Sequence, residues 1–307
     1  MTDIAIETRE LTRRYRGAVA LDGVTLDIRA NAITGLLGRN GAGKTTLMSL
    51  LTAQDRPSSG SLRVAGHDPF ERAETIEQMC FVRDNQRYPD DYKLKHAIRA
   101  AAIFYPNWSQ ELADRLIEQF RIPTKPVVKK FSRGQLSALG IVLGLASRAP
   151  ITFFDEPYLG LDATARAIFY DELLSDYVAH PRTIILSTHL IDEMDRLLER
   201  VIVLDQGRVV RHEDVEELRG GAYQLAGKAS ALDGFLVGRP VLSRRGIGGL
   251  ASAVVDEALT PEARAAATDV GLEITPVSLQ DLVAAYGVND DLAADAARTP
   301  SLEGNRS

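Results

Sequence analysis

The stretch LLGRNGAGKTT, residues 36–46, decides how the rest of the chain is read. Gly38, Gly41 and Gly43 free the backbone to wrap tightly around a ligand. Lys44 adds a positive charge, and Thr45 a hydroxyl placed to reach a bound metal. The spacing G-x-x-x-x-G-K-[ST], filled from Gly38 to Thr45, describes a backbone cradle for nucleotide phosphates. Its flanks agree. Residues 32–37 predict a buried strand, and residues 46–51 a helix whose N-terminus faces the anion.

Working outward, the apolar run Ile151 to Phe154 ends in Asp155-Glu156 and is stopped by Pro157. An aspartate at the C-terminal end of a buried parallel strand is placed to hold Mg²⁺ beside a phosphate loop. The adjacent glutamate can polarise a water aimed at the γ-phosphate. A third element, Phe131-Ser132-Arg133-Gly134-Gln135, precedes a helix with Leu136, Leu139, Val142, Leu143 and Ala146 on one apolar side. Ser132 caps that helix, and the N–H groups beyond it make a second anion site. Two phosphate-gripping helix starts in one chain suggest that they grip one nucleotide from two subunits.

Composition narrows the class. The 307 residues are 45% hydrophobic and 25% charged, as in an ordinary soluble protein with a proper core. A net charge of −6 argues against a nucleic-acid partner, which would want a basic face. The one cysteine, Cys80, lies in an apolar stretch and reads as a core residue in a reducing compartment. No signal peptide is expected, and the longest nearly uncharged apolar run, Ala138 to Ala146, falls short of the ~20 residues a spanning helix needs.

Along the chain, Ile4, Ile6 and Leu11, then Val19, Leu21, Val24, Leu26 and Ile28, predict an antiparallel β layer ahead of the phosphate loop. From about Tyr88 to Ala149 the spacing turns helical, with Leu94, Ala97, Ile98, Ala101 and Ala102 on one helix. A second helix starts at Ser109 and aligns Leu112, Leu116, Ile117 and Phe120. Residues 183–186 predict another buried strand, and residues 201–210 a hairpin turning at Asp205-Gln206-Gly207. Gly220-Gly221 marks the expected boundary between a domain of residues 1–220 and a small accessory domain of residues 221–288. In the latter, residues 272–275 suggest a strand and Ser278 to Asp281 a capping box opening a helix to Tyr286. Residues 289–307 read as a disordered tail.

Over roughly residues 4–218 the sequence resembles the ATP-binding subunits of ABC transporters, with the motifs in the family's order. Gly38 to Thr46, including Asn40 and Ala42, corresponds to Walker A, and Ile151 to Asp155 to Walker B. Glu156 stands at the catalytic glutamate, Phe131 to Gln135 at the signature, Gly160-Leu161-Asp162 at the D-loop and His189 at the switch histidine. Tyr15 fits the aromatic that stacks on adenine. The resemblance implies an α/β fold: a P-loop NTPase core with an N-terminal antiparallel β layer, an inserted helical subdomain and a small α+β C-terminal extension. It also implies ATP and Mg²⁺ as cofactors, with Thr45 and Asp155 on the metal and Ser132, Gly134 and Gln135 on nucleotide. Two copies, or one copy and a related ATPase subunit, would close around two ATP molecules to drive a membrane-spanning permease. The chain would then be cytoplasmic, peripheral on the inner face of the cell membrane, and its C-terminal extension resembles the export-type branch.

The match has two departures. Arg133 replaces the first glycine of the signature, and the Q-loop position falls on Asp84 by one alignment and Gln86 by another. Gln86 is favoured as the metal-binding residue, because an amide adds no further negative charge. Within the helical region, Phe104 to Trp108 is a candidate contact for the permease. A guanine-reading N-K-x-D motif is missing, which sets a GTPase aside, and a simple kinase has no need of a signature. A soluble ABC ATPase acting on ribosomes or DNA is the alternative.

Overall fold

The computed structural model describes residues 4–70, 72–84 and 86–287. Chain contacts divide it into two units, Met1–His212 and Glu213–Ser307. The division falls eight residues ahead of the Gly220-Gly221 pair, because Val215–Gly220 groups with the second unit. The expected disordered tail lies outside the described residues.

In the first unit, β1 (Ile4–Tyr15) and β2 (Ala18–Arg29) form a long antiparallel hairpin. Ile6 and Leu11 are both fully buried although they are an odd number of positions apart, which plain alternation forbids. The register shifts between Thr8 and Leu11, and Glu10 there takes φ 48°; this bulge restores the phase. Next come β3 (Ile33–Leu37), α1 (Lys44–Leu51) and β4 (Ser59–Val64), the last completing a sheet of order β2-β1-β4. Gly60 of β4 faces the bulge, where a Cβ would stand 2.3 Å from the Glu10 carbonyl oxygen.

A short α2 (Ala73–Ile76) leads to β5 (Met79–Arg83), and the helical region follows as α3 (Leu94–Phe104), α4 (Gln110–Gln119) and α5 (Arg133–Ser147). On α3 the buried face is Leu94, Ala97, Ile98 and Ala101, with Ala102 turned out. The single apolar side expected for α5 is corrected: from Ser137 to Ser147 every residue except Leu143 is buried. The helix is enclosed because Gly140 and Gly144 admit neighbours directly onto its backbone. A Cβ on Gly144 would lie 2.5 Å from the Phe154 ring, and one on Gly140 2.7 Å from Val82.

Then follow β6 (Ile151–Asp155), α6 (Ala163–Ala179), β7 (Thr183–Ser187), α7 (Ile191–Met194), β8 (Arg200–Asp205) and β9 (Arg208–Asp214). The six-stranded sheet runs β5-β6-β7-β3-β8-β9, and β3, β6 and β7 are buried at all five positions, as their unbroken apolar runs require. Gln206 and Gly207, both at positive φ, make the tight turn between β8 and β9. Cys80 is buried in β5. No helix of the described residues is long and apolar enough to cross a membrane.

The second unit holds α8 (Val215–Gly220), β10 (Tyr223–Lys228), α9 (Ala229–Phe235), β11 (Val241–Ile247), β12 (Leu250–Val255), α10 (Pro261–Asp269) and β13 (Glu273–Thr275). Its antiparallel sheet of order β11-β12-β10-β13 carries a core of Tyr223, Leu225, Leu232, Val255, Ala267 and Leu272. A last helix, residues 279–287, begins where the Ser278 hydroxyl accepts from the Asp281 amide at 3.0 Å. Only one strand and one helix of this unit were expected. The rest escaped because β11 is largely exposed and β10 mixes glycine and alanine into its alternation.

Candidate functional site

β3 delivers the chain to Gly38, which turns at φ 142° so close to β8 that a Cβ would stand 2.2 Å from the Leu204 carbonyl oxygen. Gly43 takes φ 105°, where a Cβ would meet the Ala20 carbonyl at 2.7 Å. At both positions glycine is a steric requirement. Gly43 is also the N-cap of α1, and no side chain caps this helix and no acid sits in its first turn. The first-turn N–H groups and the positive helix end are therefore left to an anion.

The loop bounds a cavity of about 360 Å³, lined among others by Asn40, Gly41, Lys44, Thr46, Asp155 and Glu156. Lys44 is buried, and its ammonium donates to the Gly38 carbonyl at 2.7 Å and the Arg39 carbonyl at 3.1 Å. Burial lowers its pKa, while the Glu156 and Asp155 carboxylates pull the other way. Ala42 is buried and works for the loop itself: its carbonyl accepts from the Gly207 amide at 3.0 Å.

The Thr45 hydroxyl donates to Asp155 Oδ2 at 2.8 Å, and the Ser187 hydroxyl to Oδ1 at 2.6 Å. Parallel register makes this meeting, since Asp155 of β6 sits beside Ser187 of β7. A hydroxyl and a carboxylate at the cavity wall form an all-oxygen donor set, which suits a hard cation such as Mg²⁺ that keeps several of its waters. Gln86 is exposed in the segment after β5 and lines a small cavity with Val82 and Tyr88; it is not among the residues lining the cavity around Lys44. Asp84 is engaged elsewhere, in a two-pronged ion pair with Arg133.

Glu156 takes φ 50° as the chain leaves β6, and its amide donates to the Ser187 hydroxyl at 3.0 Å. Its carboxylate meets His189 Nδ1 at 2.7 Å and accepts from the Tyr158 hydroxyl. Tyr158, only 2% exposed, also contacts Thr188 Oγ1 at 2.8 Å and accepts from the His189 amide at 2.9 Å. Burial, then the Glu156 hydrogen bond, raises its pKa far above the ordinary phenol value, so it stays protonated and holds the carboxylate as a donor. Sequence reasoning missed Tyr158, Thr188 and Ser187. The available signal was position, since all three lie at or just after the C-terminal ends of buried parallel strands, where ligands gather.

At the start of α5, Ser132 and Gln135 form a closed capping box. The Ser132 hydroxyl accepts from the Gln135 amide at 3.2 Å, and the Gln135 side chain accepts from the Ser132 amide at 2.9 Å. Gly134 lies against Gly160, where a Cβ would stand 2.4 Å from the carbonyl oxygen, and Ser137 donates to the Leu159 carbonyl at 2.6 Å. Asp162 caps α6 through the Ala165 amide at 2.8 Å. Ser132, Gly134 and Gln135 thus gather on their own turn and are not part of the cavity lining around Lys44. Tyr15 ends β1 with its hydroxyl donating to Asp55 at 2.6 Å and the Arg13 guanidinium 4.5 Å over its ring, so a cation covers one π-face.

The family description "ABC transporter" matches residues 21–159. The chain is 31% identical over 221 residues to the daunorubicin/doxorubicin resistance ATP-binding protein DrrA of Streptomyces peucetius, covering 70% of this chain and 67% of the relative. It is 32% identical over 234 residues to the daunorubicin resistance ATP-binding protein DrrA3 of Streptomyces coeruleorubidus, with 71% of each covered. Among solved structures, a dimeric ATP-binding cassette in a post-hydrolysis state with ADP and Pi superposes with a TM-score of 0.60 at 20% identity, covering 68% of this chain and 98% of that one, which shows a shared fold. Likeness of this extent to the two resistance proteins settles kinship, and the chain belongs to the ABC transporter ATP-binding proteins, a family of ATPases.

Proposed function

We propose that this chain is the motor subunit of an exporter, closing with a second copy or a related ATPase subunit around two ATP molecules. Separation of the two anion-gripping helix starts carries this reading. The α1 cradle has its own cavity, whereas Ser132 and Arg133 of the α5 turn are exposed and line no part of it. A second copy supplies the missing half. The dimeric cassette of the same fold, with ADP and Pi, supports this arrangement.

In the closed pair, Lys44 and the open N–H groups of α1 hold the β- and γ-phosphates, while the partner's signature turn covers them. Thr45 and Asp155 hold Mg²⁺, which when bound neutralises phosphate charge. Glu156 orients and polarises the attacking water; Tyr158 and His189 set the direction of its carboxylate. Closure is favourable while both copies share the phosphate and is lost once hydrolysis cuts that link.

A membrane-spanning permease takes up the motion at the inner face of the membrane. The surface offered to it is the C-terminal end of α3, where Ile103 is 77% and Phe104 55% exposed and Phe104 with Tyr105 lines a cavity of about 240 Å³. Relatives named for drug resistance favour this role over a soluble ABC ATPase acting on ribosomes or DNA. Light scattering of Glu156→Gln with ATP tests the motor reading. A stable ATP-dependent dimer is expected, with hydrolysis down about a thousandfold through loss of the positioned base. A variant that stays monomeric at saturating ATP would overturn it.

A further inference from the structure

Arg133, which replaces the first glycine of the signature, is paired with Asp84, one of the two positions open for the Q-loop. Arg133, the first residue of α5, places Nε 3.3 Å from Asp84 Oδ1 and Nη2 2.8 Å from Oδ2. Asp84 directly follows β5, and the register of the sheet brings that strand end beside the nucleotide-facing end of β6, with Arg83 level with Asp155. The stem of Arg133 rests on Gly160, where a Cβ would find its Cβ and Cγ at 3.2 Å. The pair therefore joins the signature turn, the D-loop and the segment after β5.

A guanidinium's flat fork matches a carboxylate and a phosphate equally well. Asp84 fills the receptor that a phosphate oxygen pair would use. The pair is open to exchange, because the Arg133 side chain is 61% exposed and that of Asp84 20%, so water reaches and screens it. Arg133 also stands beside Ser132, at the positive end of α5, where the partner copy's nucleotide arrives if the sandwich above is correct.

We propose that Arg133 is a further phosphate ligand of the sandwiched nucleotide, supplied across the dimer seam, and that Asp84 is its resting occupant, released when the dimer closes. This rests on the sandwich reading. Arg133 brings a full charge to a turn that otherwise offers N–H groups and one hydroxyl. Its transfer frees Asp84 in a segment that also lines a small cavity with Gln86, Tyr88 and Pro157. Closure is thereby reported to the segment between the nucleotide and the helical region.

The test uses full-length chain carrying Glu156→Gln, and reads the ATP concentration at half-maximal dimer by light scattering. Nucleotide affinity of the dilute monomer is followed in parallel with a fluorescent ATP analogue. Arg133→Ala is expected to raise the dimer midpoint about tenfold, as loss of one charge-assisted contact does, with monomer affinity unchanged. Asp84→Asn removes the competing carboxylate and is expected to lower the midpoint about threefold. Arg133→Lys, which keeps charge without the fork, should fall between wild type and Arg133→Ala. An unaltered midpoint in Arg133→Ala would overturn the proposal. So would a raised midpoint in Asp84→Asn, since the pair would then be a fixed strut. If Glu156→Gln alone forms no dimer, the sandwich itself fails; a dimer indifferent to Arg133 sinks this inference only.

Discussion

Two helix starts in this chain are built in opposite ways. α1 begins at a glycine with no side-chain cap, and its first turn opens into a cavity. α5 begins at a serine whose capping box with Gln135 already satisfies two backbone groups, and it projects toward solvent. An uncapped helix start is costly unless a ligand arrives, whereas a capped one is stable by itself and can only add a surface to a complex. On the proposed sandwich reading the difference makes nucleotide affinity and closure separable, the first belonging to α1 and the second to α5.

Lys44→Ala is the strongest way to break that division. It removes a buried ammonium that tethers the loop through Gly38 and Arg39 and lines the cavity proposed to take the phosphates. Loss of a charge-assisted phosphate contact should weaken nucleotide binding by about a hundredfold, near 3 kcal/mol, in an equilibrium titration. Ordinary affinity would mean that the cradle works through its N–H groups alone. Tyr158→Phe comes next. Its lost hydroxyl releases Glu156 and His189, so steady-state hydrolysis should fall about tenfold while ATP-driven dimerisation persists. A drop in dimerisation of equal size would place Tyr158 in closure rather than in chemistry.

Ser132→Ala is the smallest. Losing the cap should cost α5 about 1 kcal/mol, seen as a lower Tm of about 2–4 °C for a unit of this size. Dimerisation should weaken and monomer nucleotide affinity stay constant. If monomer affinity fell as well, the two helix starts would not be independent.

Legibility followed the range of the contacts involved. The phosphate loop was readable because its glycines answer to backbone sterics within a few residues, and the carboxylates because a buried strand followed by proline announces its end. The caps at Ser109, Ser132 and Ser278 were readable for the same reason. The enclosure of α5 was not, since burial on every side depends on what Gly140 and Gly144 let approach.

From residue order alone came the α/β core, the cradle, the carboxylate pair and the two helix starts, each specified by steric and hydrogen-bonding rules acting over a short span. Tertiary structure alone decided that Ser187 shares Asp155 with Thr45, that Tyr158 and His189 converge on Glu156, and that Asp84 occupies Arg133. Except for Tyr158, which lies two residues from Glu156, these partners lie 32 to 110 positions apart. They meet because parallel register sets strand ends side by side, and because glycines at 134 and 160 allow two backbones to touch.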